Sequence, residues 1–328
     1  MQYTTLGRTG LKVSVAGLGC GGFSRLGLGT GKTRGEAEAI VRRALERGVT
    51  LFDTAAAYGT EAVVGSAIKG EQRDRLVICT KALLPGGDAK TAIKAVVDSL
   101  NGSLRALGTD HVDLFQLHGV PASEYGRARD VIAPVLLRER DKGKLHHLGI
   151  TETAPGDPTH EMLAHAAADG PWDVVMVAFH MLHQGARRTV FPLTAQNKVG
   201  TLLMFAVRKI FADPALLAET IRALAADGRV PARLVERDQP LDFLIHQGGA
   251  ASLTDAAYRY ARHEPGVDVV LFGTGDIGHL ETNLASLLAP ALPEADRAKL
   301  AELFGHLVGV GLDRPDRITK LRAKSAGA

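Results

Sequence analysis

Four polar side chains stand where apolar runs end or turn. Asp53 closes TLFD, Tyr58 follows five residues later, Lys81 comes after LVICT, and His118 closes VDLFQLH. A carboxylate behind Leu51 and Phe52 needs a partner, because an unpaired buried charge is costly or changes protonation. Lys81 offers the opposite charge. A phenol has an ordinary pKa of about 10, so at neutral pH it is a reluctant proton donor whose anion needs support. An ammonium about 4 Å away stabilises that anion by roughly 4 kcal/mol at an effective dielectric of about 20, at most about three pKa units. An imidazole beside it can donate to the same reacting oxygen and polarise it. Four such titratable groups at the ends of neighbouring apolar runs are harder to dismiss together than singly. Singly, each has a plainer reading: a satisfied histidine at a strand end, a snorkelling lysine, a packing tyrosine.

The four residues meet only if their strands are neighbours. Eight short apolar runs punctuate the chain: 15–19, 50–53, 76–80, 112–118, 146–150, 173–179, 201–206 and 267–273. They are nearly continuous in apolar residues, as parallel strands buried on both faces are. Helical patterns fill the gaps. The clearest is Thr33 to Arg47, with Thr33 and Glu36 spaced as a capping box and Gly48 as the stop. Others run over 90–107, 159–168, 252–263 and 279–288. Eight such units predict an α/β fold, a (β/α)8 TIM barrel formed by residues 1–328 as one domain. Catalytic groups in that fold lie at the C-terminal strand ends. A doubly wound dinucleotide fold is the weaker alternative. Gly17, Gly19, Gly21 and Gly22 cluster early, but helical pattern resumes only near Thr33.

Two segments fall outside the repeat. Residues 2–14 read as a β-hairpin capping the barrel bottom. Residues 207–250 are too long for an ordinary connection. With a helix at 215–226 they form a long inserted loop after strand seven, on the active-site face. That insertion either shapes the substrate pocket or serves packing and assembly. Residues 313–328 read as a flexible tail.

Composition narrows the partners. The 39 basic and 36 acidic residues leave a formal charge of +3, too small to point to nucleic acid. No apolar run reaches the ~18 residues of a membrane span. Cys20 and Cys79 sit in strand-like contexts without metal spacing, so we expect no metal centre and two reduced thiols in a cytoplasmic protein. The oligomeric state is not legible.

The segments LGRTGLKVS, FDTAAAYG, LVICTKA, VDLFQLHG, GKLHHLGIT and GTGDIGHLETN occur in an order that resembles the aldo-keto reductase superfamily. The resemblance runs from the hairpin to about Leu288. It implies a (β/α)8 barrel and an oxidoreductase that transfers a hydride between a nicotinamide cofactor and a small carbonyl or alcohol substrate. It also implies a catalytic tetrad of Asp53, Tyr58, Lys81 and His118, with Tyr58 as proton donor. For the cofactor it implies Thr151 at the carboxamide, where Glu152 and Met176 depart from the family's asparagine and glutamine. It implies Phe205 stacked on the nicotinamide, and a phosphate-binding turn at Gly273, Thr274 and Gly275. His279 and Asn283 complete that set. NADP is favoured on family grounds, with NAD a close alternative because Asp276 lies in the turn. Two other readings are a catalytically weak or regulatory cofactor-binding subunit and an aldolase with Lys81 as a Schiff-base nucleophile.

Overall fold

The computed structural model describes residues 1–236 and 239–313, so the tail expected at 313–328 lies, except for Asp313, outside the described residues. Among the described residues there are ten strands. Two form the N-terminal hairpin, β1 (Tyr3–Thr5) and β2 (Lys12–Ser14), paired antiparallel with Tyr3 opposite Ser14. Eight form a closed parallel barrel: β3 (Ala16–Gly19), β4 (Leu51–Asp53), β5 (Val77–Leu83), β6 (Val112–Val120), β7 (Leu145–Glu152), β8 (Val174–Ala178), β9 (Gly200–Met204) and β10 (Val269–Phe272). They pair in chain order, and β10 returns to β3 with Phe272 opposite Leu18.

Two strands run further than their apolar runs suggest. β5 continues through Lys81 to Leu83, because Lys81 pairs with Gln116 and Leu83 with His118 on β6. Lys81 and His118 therefore lie inside strands rather than beyond them. β7 continues to Glu152, which pairs with Val120.

Side chains alternate across each strand. One set, including Leu51, Val77, Cys79, Leu114, Val174, Met176, Leu202 and Val269, packs into a single apolar cluster within the barrel. Leu6 and Val13 of the hairpin join it, so the hairpin plugs the N-terminal end. The same alternation carries Asp53, Lys81 and Gln116 one step further toward the C-terminal mouth. The complementary set packs against the surrounding helices in the main core.

The helix Arg34–Glu46 carries the expected capping box: Thr33 accepts from the Glu36 amide and Glu36 accepts from the Thr33 amide. The insertion holds the helices Lys209–Ala212 and Pro214–Ala226, the latter burying Leu217, Ile221 and Leu224.

Candidate active site

β4 delivers Asp53 to the barrel interior, 3% exposed, and the fully buried Lys81 reaches it from β5. The Lys81 ammonium donates to Asp53 Oδ2 at 2.7 Å and to the Thr54 carbonyl at 2.9 Å. Burial alone would pull the lysine pKa down. The negative partners around it, Asp53 foremost and then Tyr58, together outweigh burial and hold Lys81 charged, pushed up to about 12. Burial raises Asp53 from its ordinary value, and Lys81 limits the rise. Gln116 donates to Asp53 Oδ1 at 3.3 Å and fixes the carboxylate from the β6 side.

Tyr58 closes a short 3-10 turn, Ala56–Tyr58, and Gly59 leaves it at φ 71°. The Lys81 Nζ lies 5.0 Å from the centroid of the tyrosine ring. The Tyr58 hydroxyl is 3.3 Å from His118 Nε2, and the two rings meet edge to face. Gly21 lies against the other side of the ring, where a Cβ would come within 2.5 Å of Tyr58 Cε2. All four residues of the expected tetrad are thus brought together, with the phenol hydroxyl and the imidazole edge side by side in front of the ion pair.

The chain matches the model of the Aldo/keto reductase family over residues 17–304. It belongs to the aldo-keto reductase family. The aldo-keto reductase YhdN of Bacillus subtilis (strain 168) is 27% identical over 301 residues, covering 86% of this chain and 87% of that one. An aldo-keto reductase of Mycobacterium avium (strain 104) is 32% identical over 221 residues, 65% of this chain and 71% of the relative. Among solved structures, the holo form of an aldo-keto reductase from Bacillus halodurans superposes with a TM-score of 0.69 at 22% identity, covering 93% of this chain and 96% of the other. An aldo-keto reductase from Klebsiella pneumoniae in complex with NADP and acetate gives 0.65 at 21% identity, covering 95% and 97%. Membership implies NAD(P)-dependent carbonyl reduction, and the eight-stranded barrel is the fold those structures share.

In this aldo-keto reductase the positions expected to hold the cofactor differ in what they offer. The buried Thr151 accepts from the Gly119 amide at 2.5 Å. Glu152 turns away from the barrel interior. Its carboxylate pairs with His160 at 2.8 Å and accepts from the Ala178 amide at 2.7 Å. Met176 is 3% exposed in the interior apolar cluster, where it has nothing to offer an amide. Phe205 holds the left-handed conformation at φ 71°, strained for a bulky side chain. The Arg208 guanidinium covers one face of its ring at 3.9 Å and is held in turn by Asp313.

At the end of β10 the turn through Gly273, Thr274 and Gly275 is tightly overlain. A Cβ on Gly275 would come within 2.6 Å of the Gly27 backbone. Asp276 caps the helix Ile277–Leu288 by accepting from the His279 amide at 3.0 Å. Asn283 is 9% exposed one turn further on. The helix N-terminus thus carries its own carboxylate. Lys32 lies across from it, 3.9 Å from Asp276 Oδ2.

Three features escaped the sequence reading. Gln116 was readable as a polar residue two positions before His118, hence on the same strand face. Lys32 reaches the turn from a distant loop, which no local pattern signals. The pairing of Glu152 with His160 depends on a loop conformation, with His160 at φ 63°, that composition does not reveal.

Proposed function

We propose that this chain reduces a small carbonyl substrate with NADPH, Tyr58 giving the proton. The observation that carries the reading is the buried Lys81–Asp53 pair behind a tyrosine whose hydroxyl stands beside His118. An ammonium 5.0 Å from the ring favours the phenolate by roughly 3 kcal/mol at an effective dielectric of about 20. Asp53 offsets part of that while keeping Lys81 protonated and aimed. Tyr58 and His118 together hold one oxygen. His118 orients it by hydrogen bonding, and Tyr58 donates as negative charge develops there. When bound, the nicotinamide supplies the hydride.

The residues present fit that cofactor. The turn at 273–275, with Thr274 and Asn283, would hold the phosphates. Lys32, 3.9 Å from the Asp276 cap, would take a 2′-phosphate, as would suit the NADP named for the Klebsiella relative. Thr151 would meet the carboxamide, and the ring face of Phe205 opposite Arg208 would flank the nicotinamide. With Glu152 and Met176 unable to serve the carboxamide, that end would rest on Thr151 and on packing.

The test is Tyr58→Phe, which removes the donor and keeps the ring. Turnover on a carbonyl substrate found by panel screening should fall at least ~10²-fold, with NADPH affinity nearly unchanged. Near-normal turnover in the variant rules out this role for Tyr58. A second reading, a cofactor-binding subunit without turnover, is favoured by the lost carboxamide contacts at Glu152 and Met176. It predicts tight NADPH binding with no reduction of any substrate in the panel.

A further inference from the structure

At the end of the barrel opposite the tetrad, three residues from two strand entries converge. His111 precedes β6, Asp113 is its second residue, and His146 is the second residue of β7. One ligand atom from each lies within 4.8 Å of the other two. The two imidazoles stack with centroids 4.5 Å apart, and His146 Nδ1 is 3.7 Å from Asp113 Oδ1. We propose that His111, Asp113 and His146 bind a divalent transition metal of the zinc type.

The donor chemistry supports this class of ion. Two imidazoles and a carboxylate are the usual first partners of zinc, with bonds of about 2.0–2.2 Å. A hard cation such as magnesium prefers an all-oxygen set. The two oxygens of Asp113 are differentiated. Oδ2 accepts from the Ile78 amide at 2.7 Å and pairs with Arg73 at 2.8 Å. Oδ1 faces His146. The carboxylate is therefore anchored on one side, with its other oxygen turned toward the imidazoles.

His111 has its own orienting acid: Asp110 Oδ1 lies 2.7 Å from His111 Nδ1. A proton held on Nδ1 by that carboxylate leaves Nε2 with the free lone pair, the second partner that metal-bound histidines commonly have. Tetrahedral coordination needs donor atoms about 3.3 Å apart, so the three must draw together. His146 can supply that movement, since its side chain is 48% exposed. Water would complete the shell. Arg73 is a nearby positive charge and weakens the affinity without occupying Oδ1. Cys20 and Cys79 do not compete, because burial pushes both thiols up and neither is accessible. The bound ion would link the entries of β6 and β7, so it should add stability and leave the chemistry at the barrel mouth alone.

The experiment uses the full chain without a histidine tag. Zinc chloride is titrated calorimetrically at pH 7.5, and cobalt(II) absorption reports the coordination. One equivalent should bind, cobalt should give a tetrahedral visible band, and zinc at 100 times its Kd should raise Tm by at least about 3 °C. His146→Gln should weaken zinc at least tenfold, and His111→Gln with His146→Gln should abolish both the cobalt band and the Tm shift. Circular dichroism and unchanged Tm without metal establish that the variants fold. The proposal is overturned if the wild type shows no stoichiometric binding. It is overturned equally if the double variant binds zinc as well as the wild type, which would place the ion elsewhere, for example among His160, His180 and His183.

Discussion

Each residue of the proposed proton relay is held by a different physical constraint, and the variants should separate accordingly. Lys81→Met removes the field on Tyr58 and leaves Asp53 buried beside Gln116 and the methionine. The rate of carbonyl reduction should fall at least ~10²-fold, and the upper limb of the pH–rate profile should move to higher pH. An unmoved limb would show that the phenol does not sense the lysine. Asp53→Asn leaves the ammonium but removes its counter-charge, so the larger effect should be on stability, about 3–5 kcal/mol by denaturant titration. In the proposed complex Lys32 lies at the other end of the cofactor. Lys32→Met should weaken NADPH at least tenfold and NADH little, measured by competitive fluorescence titration. Equal losses would remove Lys32 from the 2′-phosphate. The convergence of Asp53, Lys81 and His118 was legible because they interrupt apolar runs where a charge needs a reason. Lys32 was not, because its position depends on Gly27, whose Cβ position is filled by the Lys32 side chain 2.7 Å away.

The elements that position these residues were legible wherever hydrophobic period and turn chemistry agree. All eight barrel strands and the hairpin follow from their apolar runs, and the 33–47 helix from its capping box. The helices Glu61–Ala67 and Phe191–Asn197 did not, since seven residues give too few turns to establish a period. The hairpin shows how a connection becomes a packed part of the barrel. Gly7 adopts φ 49°, and a Cβ there would lie 2.2 Å from the Gly200 amide nitrogen at the start of β9. Next to it, the Arg8 amide donates to the Lys198 carbonyl, and its side chain pairs with Asp173. Gly10 also has positive φ, at 75°, but a Cβ there would meet nothing within 4 Å. The pair separates strain from collision. Gly10→Ala should cost only the left-handed penalty, about 1–2 kcal/mol. Gly7→Ala must also push the hairpin off the barrel floor, and should cost at least about 2 kcal/mol more. Equal urea midpoints for the two variants would mean that the hairpin does not seal the barrel.

Over the whole molecule, buried ionisable groups set how the fold responds to acid. Burial drives His183 from 6.5 down to about 3, with His160 nearby adding to the effect. His180 is pushed well below its ordinary value by burial, then by His183 and Arg208. In the unfolded chain both histidines take up a proton near pH 6.5, whereas the folded chain refuses it. Between those values the unfolded state binds more protons, so stability falls as pH drops. For His183 the window spans about 3.5 units, worth up to roughly 5 kcal/mol. That is a large part of the 5–15 kcal/mol typical of folded domains. Three carboxyls, two of them buried and Asp268 half-buried, act the other way. Asp53, Glu152 and Asp268 are raised, chiefly by burial. The folded chain takes up their protons first, and stability rises as pH drops through each raised value toward its ordinary one. Their windows run upward from the ordinary values of 3.8 for the aspartates and 4.5 for Glu152, so they act against the histidine loss. The His183 contribution should therefore be level above about pH 7 and decline as pH falls from about 6. His183→Gln keeps a polar group in place without a titrating nitrogen, and it should make that decline shallower by about 1.4 kcal/mol per pH unit. Urea unfolding at half-unit intervals from pH 8 to pH 4.5 measures the slope. If the variant and the parent decline in parallel, His183 is not a source of the acid sensitivity, and the loss arises at other groups, His180 among them.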